Sequence, residues 1–192
     1  YQAKAAGRNT LRFFNPEMQA AITARAVLET GLRDAVKQER FRLFYQAQVD
    51  ASGRVIGAEA LLRWQDAERG LVFPGEFIAL SEESGLILPI GEWVLQTACT
   101  QLKAWSNHAE TRNLELAINV SARQFHQPEF VTRIASCITR SGINPTRMKL
   151  ELTESIVLEN IADVVQRMQQ LRALGISFSM DDFGTGYSSL SY

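Results

Sequence analysis

In four places along this 192-residue chain an oxygen-bearing side chain interrupts a run of apolar residues. Glu59 stands between Val55-Ile56-Gly57-Ala58 and Leu61-Leu62, and Asn119 between Leu116-Ala117-Ile118 and Val120. Glu151 sits between Leu150 and Leu152, and Asp181-Asp182 closes the run Ile176-Ser177-Phe178-Ser179-Met180. A buried carboxylate is costly unless it is paired, protonated or bound to a cation. One such residue is ordinarily an edge or ion-paired position; four in succession form a pattern. No cluster of lysine or arginine is interleaved with them, so positive charge has to come from elsewhere. All-oxygen donors suit hard cations such as Mg²⁺ or Mn²⁺. Asp181 and Asp182, being adjacent, could serve two ions about 4 Å apart, an arrangement that activates water and clamps a phosphoryl oxygen for in-line displacement. Arg63 shares a strand face with Glu59 and could hold a substrate phosphate by a bidentate contact. Plainer readings stay open on the residues alone: Arg63 pairing with Glu59 or capping a loop, and Asp-Asp-Phe-Gly as an ordinary turn after a strand.

These side chains have to be delivered by strands. Phe41 to Val49 and Val55 to Trp64 read as two strands joined through Asp50-Ala51-Ser52-Gly53. That gap is too short for a crossover, so the pair is antiparallel. Leu114–Ser121, Met148–Thr153 and Ile176–Phe183 are three later strands, far apart. Helical spacing fills the intervals: Ile90, Trp93, Val94, Ala98, Leu102 and Trp105 in one, Ile161, Val164, Val165, Met168 and Leu171 in another. Gly142 and Gly175 mark helix ends. Ala, Leu, Arg and Glu make residues 20–38 a further helix. Ahead of it, Gly7 supplies a helix stop and Thr10–Phe14 a short strand without a visible partner. Strand-helix alternation implies parallel strands with right-handed crossovers. The fold class is therefore α/β, with about five strands in view. An eight-stranded barrel takes about 250 residues and would run past Tyr192. An open doubly wound sheet competes, but no Gly-x-Gly-x-x-Gly follows any strand.

Composition narrows the partners. Apolar residues make up 46% and charged residues 21%, with a net charge of -1. That balance gives no basis for binding a DNA or RNA polymer or an anionic membrane. No apolar run is long enough to span a bilayer. Cys99 and Cys137 lack metal-site spacing and read as buried free thiols of a reducing compartment, hence a cytoplasmic setting. His108 and His126 are expected at the surface, Trp64, Trp93 and Trp105 in packing roles, and Glu82 and Glu83 on a solvated helix face.

The wording of the strands carries a resemblance. Glu59-Ala60-Leu61-Leu62-Arg63-Trp64, Asn119-Val120-Ser121-Ala122-Arg123-Gln124-Phe125, Glu151-Leu152-Thr153-Glu154-Ser155 and Asp181-Asp182-Phe183-Gly184-Thr185-Gly186-Tyr187-Ser188 stand in order. Together they closely resemble the motifs of the EAL family of cyclic di-GMP phosphodiesterases. Phe44-Tyr45-Gln46-Ala47-Gln48-Val49 is similar to the family's opening strand, with Ala47 where Pro is usual. Tyr1-Gln2-Ala3-Lys4 and Gly7-Arg8-Asn9 look like the tail of a GGDEF diguanylate cyclase domain. The expected organisation is thus a GGDEF tail and linker over 1–18 and the N-terminal part of an EAL domain over 19–192.

The resemblance implies an incomplete modified TIM (β/α)8 barrel with an antiparallel first strand, five of its eight strands being present. It implies hydrolysis of cyclic di-GMP to linear pGpG with Mg²⁺ or Mn²⁺. Glu59, Asn119, Glu151, Asp181 and Asp182 would be the metal ligands, with Glu59, Asp181 and Asp182 catalytic. Gln46 and Arg63 would contact substrate, Arg63 at phosphate. Glu154 would anchor the loop from Asp182 to Tyr187, which is thought to couple a homodimer to the site. The loop at Leu71–Phe77 resembles a segment near substrate. The family also uses a later Lys, Glu and Gln that would follow Tyr192, so the fragment alone is expected to be inactive and aggregation-prone. The alternatives are a degenerate domain that binds cyclic di-GMP as a receptor, and a barrel enzyme of another metal-assisted class, such as one forming an enolate.

Overall fold

A computed structural model of the chain describes residues 16–153, 156 and 161–181. The chain opens on helix α1 (Pro16–Lys37), whose Leu32 and Ala35 are fully buried. Gly31 faces the indole of Trp64, a Cβ there reaching 3.2 Å from the ring. Strands β1 (Phe41–Val49) and β2 (Val55–Asp66) form the expected antiparallel hairpin, with Gln46 opposite Glu59 and Phe44 opposite Leu61. Its turn is closed by Asp50. The carboxylate accepts from the Ser52 hydroxyl at 2.6 Å, the Ser52 amide at 2.9 Å and the Arg54 amide at 3.1 Å. These bonds, the Ser52 hydroxyl foremost, hold its carboxyl below the ordinary range. Gly53 takes φ 81°, a conformation open to glycine at little cost.

The segment at Leu71–Phe77 is not the loop expected from the sequence. Gly70–Val72 is a short strand, β3, antiparallel to β2, and helix α2 (Pro74–Ser84) starts two residues later. Three residues are too few for strand alternation to be legible. The turn before β3 is held by Asp66, which accepts from the amides of Glu68 and Arg69.

After α3 (Ile87–Ser106) come β4 (Glu115–Val120), a one-turn helix α4 (Ala122–Phe125), α5 (Phe130–Ser141) and β5 (Met148–Thr153). Helix α6 (Ile161–Ala173) and β6 (Ser177–Asp181) complete the described chain. The sheet runs β1-β2-β4-β5-β6, with β3 on β2 and every step from β2 onward parallel. Six strands are thus described, the five expected and β3. Gly142 and Gly175, at φ 61° and 99°, close α5 and the turn after α6 as their positions suggested.

Strand order follows chain order with no reversal, so the crossover helices gather on one side. A doubly wound sheet reverses and covers both faces; a barrel wall does not. Burial agrees. On β5, Met148, Leu150 and Leu152 are fully buried while Lys149, Glu151 and Thr153 stay half-buried. Leu116, Ile118 and Val120 of β4 join the first set, packed in one core with Ile90, Ala98 and Ile134 of α3 and α5. Each such Leu, Ile, Val or Met side chain contributes roughly 1.5–3 kcal/mol by leaving water.

The two cysteines are free and buried, as expected. Cys137 of α5 donates to Cys99 of α3, 2.9 Å away. His108 is exposed, but His126 is half-buried, its ring edge-on to the fully buried Phe125 at the end of α4. Trp64 is deep in the core, with Trp93 and Trp105 packed at its margin. Glu83 is exposed and paired with Arg25, while Glu82 is half-buried. Among the described residues no helix is long and apolar enough to cross a membrane.

Candidate active site

The half-buried face of the sheet carries the polar residues picked out above. Strand alternation puts Gln46 of β1, Glu59, Leu61 and Arg63 of β2, Asn119 of β4, and Glu151 and Thr153 of β5 on it. Asn119 pairs directly with Glu151 in the β4–β5 register. Across β2 and β4, the Asn119 amide donates to Glu59 Oε1 at 2.8 Å. This bond uses the carboxamide nitrogen and leaves Asn119 Oδ1 and the second Glu59 oxygen as acceptors. Glu151 Oε1 accepts from the Ser179 hydroxyl at 3.1 Å. Asp181 ends β6 opposite Thr153. Asp182 and Glu154 lie outside the described residues.

Arg63 sits over aromatic side chains. Its guanidinium is 4.7 Å from the centroid of Phe73 and 5.8 Å from that of Phe44, and donates to the Leu62 carbonyl at 2.8 Å. Phe73 is exposed and stands at the N-cap of α2. It is β3, absent from the sequence reading, that carries the chain from β2 to this place. A cleft of about 410 Å³ opens at the same strand ends, lined by Leu61, Asn119 and Thr153 on the sheet and by Pro74, Ile78 and Glu82 on α2. Gln46 is exposed beside Glu59 on the neighbouring strand.

Among the described residues no three His, Cys, Asp or Glu side chains form a ready metal cage. The donor set nonetheless suits a hard cation. Glu59, Asn119 and Glu151 supply oxygen only, share a sheet face on consecutive strands, and are half-buried or exposed, so an ion could reach them. Sequence reasoning missed three supporting features. Ser179 was detectable by strand parity, since 177, 179 and 181 alternate with the apolar positions of β6. The Ser121-x-x-Gln124 spacing is that of a capping box, and both of its reciprocal bonds are present. The stacking of Phe73 on Arg63 left no local signal, because it depends on how the chain returns from β3.

A strand wall of this topology, with a crossover helix layer outside and acidic and amide donors on the inner face, is part of the wall of a (β/α) barrel. The EAL domain family matches residues 29–192, and the chain belongs to that family. It is 41% identical over 195 residues to the bifunctional diguanylate cyclase/cyclic di-GMP phosphodiesterase MucR of Pseudomonas aeruginosa, covering all of this chain and 28% of MucR. It is 39% identical over 191 residues to the cyclic di-GMP phosphodiesterase PdeR of Escherichia coli, covering all of this chain and 29% of PdeR. The chain thus spans less than a third of these relatives. Among solved structures, the MucR phosphodiesterase in complex with c-di-GMP superposes with a TM-score of 0.80 at 40% identity, over 85% of this chain and 66% of that one. The EAL enzyme Bd1971, with cAMP and cyclic di-GMP bound, gives 0.82 at 32% identity, over 88% and 47%.

Proposed function

We propose that the protein containing this chain hydrolyses cyclic di-GMP to linear pGpG. The observation that carries this reading is the convergence of Glu59, Asn119 and Glu151 on one face of neighbouring strands, with Arg63 further along β2 on the same face, in a member of the EAL family. Mg²⁺ or Mn²⁺ would be held by Glu59, Asn119 and Glu151, with Asp181 and Asp182 completing a two-metal site. When bound, such ions lower the pKa of a coordinated water and neutralise charge on the phosphodiester. Arg63, already oriented by Phe73, directs its planar fork at a phosphate oxygen. Gln46 contacts the substrate from the adjacent strand. Glu59 would lend its carboxylate to the ions, and its bond from Asn119 occupies Oε1, leaving the other carboxylate oxygen for them. The water oxygen bonds to phosphorus, the P–O3′ bond breaks, and O3′ takes a proton that the water gives up, so the phosphate stays on the 5′ oxygen of pGpG.

Residues 1–18 are assigned as a GGDEF-domain tail and linker and 19–192 as the EAL part. Glu154 would anchor the loop after Asp182, the domain would pair as a homodimer, and the protein would act in the cytoplasm. The test is hydrolysis of cyclic di-GMP by the intact protein with Mg²⁺, repeated on Glu59→Ala. Turnover is expected to vanish in the variant. Binding of cyclic di-GMP without any turnover by the unsubstituted protein would replace the enzyme with a receptor, and an active Glu59→Ala would remove Glu59 from the site.

A further inference from the structure

Asn119 is exposed, and its described hydrogen bond is the one to Glu59. A ligand so lightly packed takes its position from its backbone. That backbone leaves β4 after Val120 and turns at Ser121 into α4. The turn is held by Gln124. Its side-chain oxygen accepts from the Ser121 amide at 3.1 Å and the Ser121 hydroxyl at 2.8 Å, and the Gln124 amide donates back to the hydroxyl at 3.3 Å. Gln124 is one of only two buried polar or charged residues among those described, the other being Ser81.

Its burial has a visible cause. The Gln124 carboxamide lies against Gly91 of α3, where an added Cβ would overlap it. One residue earlier, Arg123 donates to the carbonyls of Glu82 and Glu83 at the end of α2. A Cβ at Gly85, the αL cap of α2, would lie 3.3 Å from that guanidinium. Two helices therefore grip the turn two residues past Asn119, one by Gln124 in a gap left by a glycine, the other by Arg123 over a helix C-terminus.

We infer that Gln124, seated in the notch at Gly91, is a positioning residue for the Asn119 metal ligand and sets the affinity of the site for its divalent ion. It rests on the functional reading above. The acting group is the Gln124 side-chain oxygen, which fixes Ser121 and with it the direction of the chain as it leaves Asn119. Groups that orient metal ligands from behind typically govern affinity by 10–100-fold.

The test measures Mn²⁺ bound by the intact protein, read from the loss of the free-ion EPR signal, with melting temperature recorded in parallel. Glu59→Ala is the reference for ions held at this site. Gln124→Met keeps the length but removes the acceptor, and is expected to weaken Mn²⁺ about tenfold, the low end of that range. Gly91→Ala, which expels the amide, should match it. Gln124→Glu keeps the acceptor oxygen and should keep the affinity. Ser121→Ala, which removes the hydroxyl that donates to Gln124 and accepts from its amide but needs no repacking, should weaken Mn²⁺ in the same direction and decides the matter if the larger changes unfold the protein. Wild-type affinity in Gln124→Met and Ser121→Ala, or equal loss in Gln124→Glu and Gln124→Met, would overturn the inference. Failure of the functional reading looks different: no Mn²⁺ is then lost on Glu59→Ala.

Discussion

Asn119→Asp changes a single group at the centre of the site and has a calculable consequence. The amide that donates to Glu59 Oε1 at 2.8 Å becomes a second anionic acceptor. Two unit charges 4 Å apart repel by about 1 kcal/mol in water and about 4 kcal/mol at the effective dielectric of a protein surface. Asn119 is exposed and Glu59 half-buried, which puts the repulsion in the lower half of that interval, about 1–2 kcal/mol. Losing a hydrogen bond to a charged partner, reduced for exposure, adds about 1 kcal/mol. The metal-free variant should therefore be about 2–3 kcal/mol less stable, or about 4–12 °C lower in Tm at 2–4 °C per kcal/mol for a domain of this size. A divalent ion reverses the sign, because the carboxylate is a better ligand than the carboxamide it replaces. Ion at 100 times Kd stabilises any binder by about 2.7 kcal/mol, and the variant gains the relief of repulsion as well. Thermal melts of wild type and variant in EDTA and in excess Mg²⁺ make the comparison. The expected result is a large deficit in EDTA that closes in Mg²⁺. A deficit that persists unchanged in Mg²⁺ would show that no cation sits between residues 59 and 119.

Further outcomes can be checked on the same protein. Arg63→Lys loses both the planar fork and the stacking on Phe73 at 4.7 Å, so the KM for cyclic di-GMP should rise about tenfold, as for one lost contact of about 1.4 kcal/mol, with little change in Tm; an unaltered KM would take Arg63 out of phosphate binding. Gly57→Ala would put a methyl 2.6 Å from the Glu115 carbonyl across the β2–β4 pairing, and should cost about 1–3 kcal/mol in urea unfolding through overpacking; a neutral result would mean that the strands part more easily than the register suggests. Burial, and then the bond from Cys137, push the Cys99 thiol from its ordinary 9.0 to about 12. The native state thus keeps a proton that the unfolded chain gives up, and stability should fall as pH rises from 9.0 towards 12. Cys99→Ala should flatten that decline in denaturation curves at pH 8 and above, whereas a steeper decline would contradict the assignment.

Part of the candidate site was legible because polar residues stand out within apolar strand sequence. Glu59, Asn119 and Glu151 each break an apolar run, and strand parity alone put Glu151 and Thr153 on one face, as β5 shows. The hairpin followed from four residues around Asp50, whose side chain does close that turn. What stayed hidden depends on distant parts of the chain. β3 is three residues long and exists through pairing with β2. The stacking of Phe73 on Arg63 follows from β3, and the fit of Gln124 against Gly91 joins residues 33 positions apart in the chain. His126 looked like a surface residue from its polar neighbours, yet the buried Phe125 before it draws it in. Local pattern reports which face a residue takes; it does not report what the opposite element brings to that face.

The register explains why residues so far apart in sequence arrive at one height. Asn119 lies two positions beyond Ala117, the partner of Glu59, and Glu151 is level with Asn119 in the pairing. Asp181 pairs with Thr153, two positions beyond Glu151. Following the hydrogen bonds from β2 to β6, the site therefore climbs by two residues, by none, and by two again. In an eight-stranded barrel of shear 8, each perpendicular step to the next strand shifts the height by about one residue along the strand. Staying level over three steps thus requires a climb of about three residues. Residues that must share a face can climb only in even steps, and two, none and two stay within about one residue of the required line at every strand. A slip of one residue in β4 would present Ile118 or Val120 in place of Asn119 and turn the apolar set of that strand away from α3 and α5. The burial of Leu116, Ile118 and Val120 in that helix-facing core is therefore what holds Asn119 within reach of Glu59, and any core substitution that shifts the register of β4 should be felt first at the site.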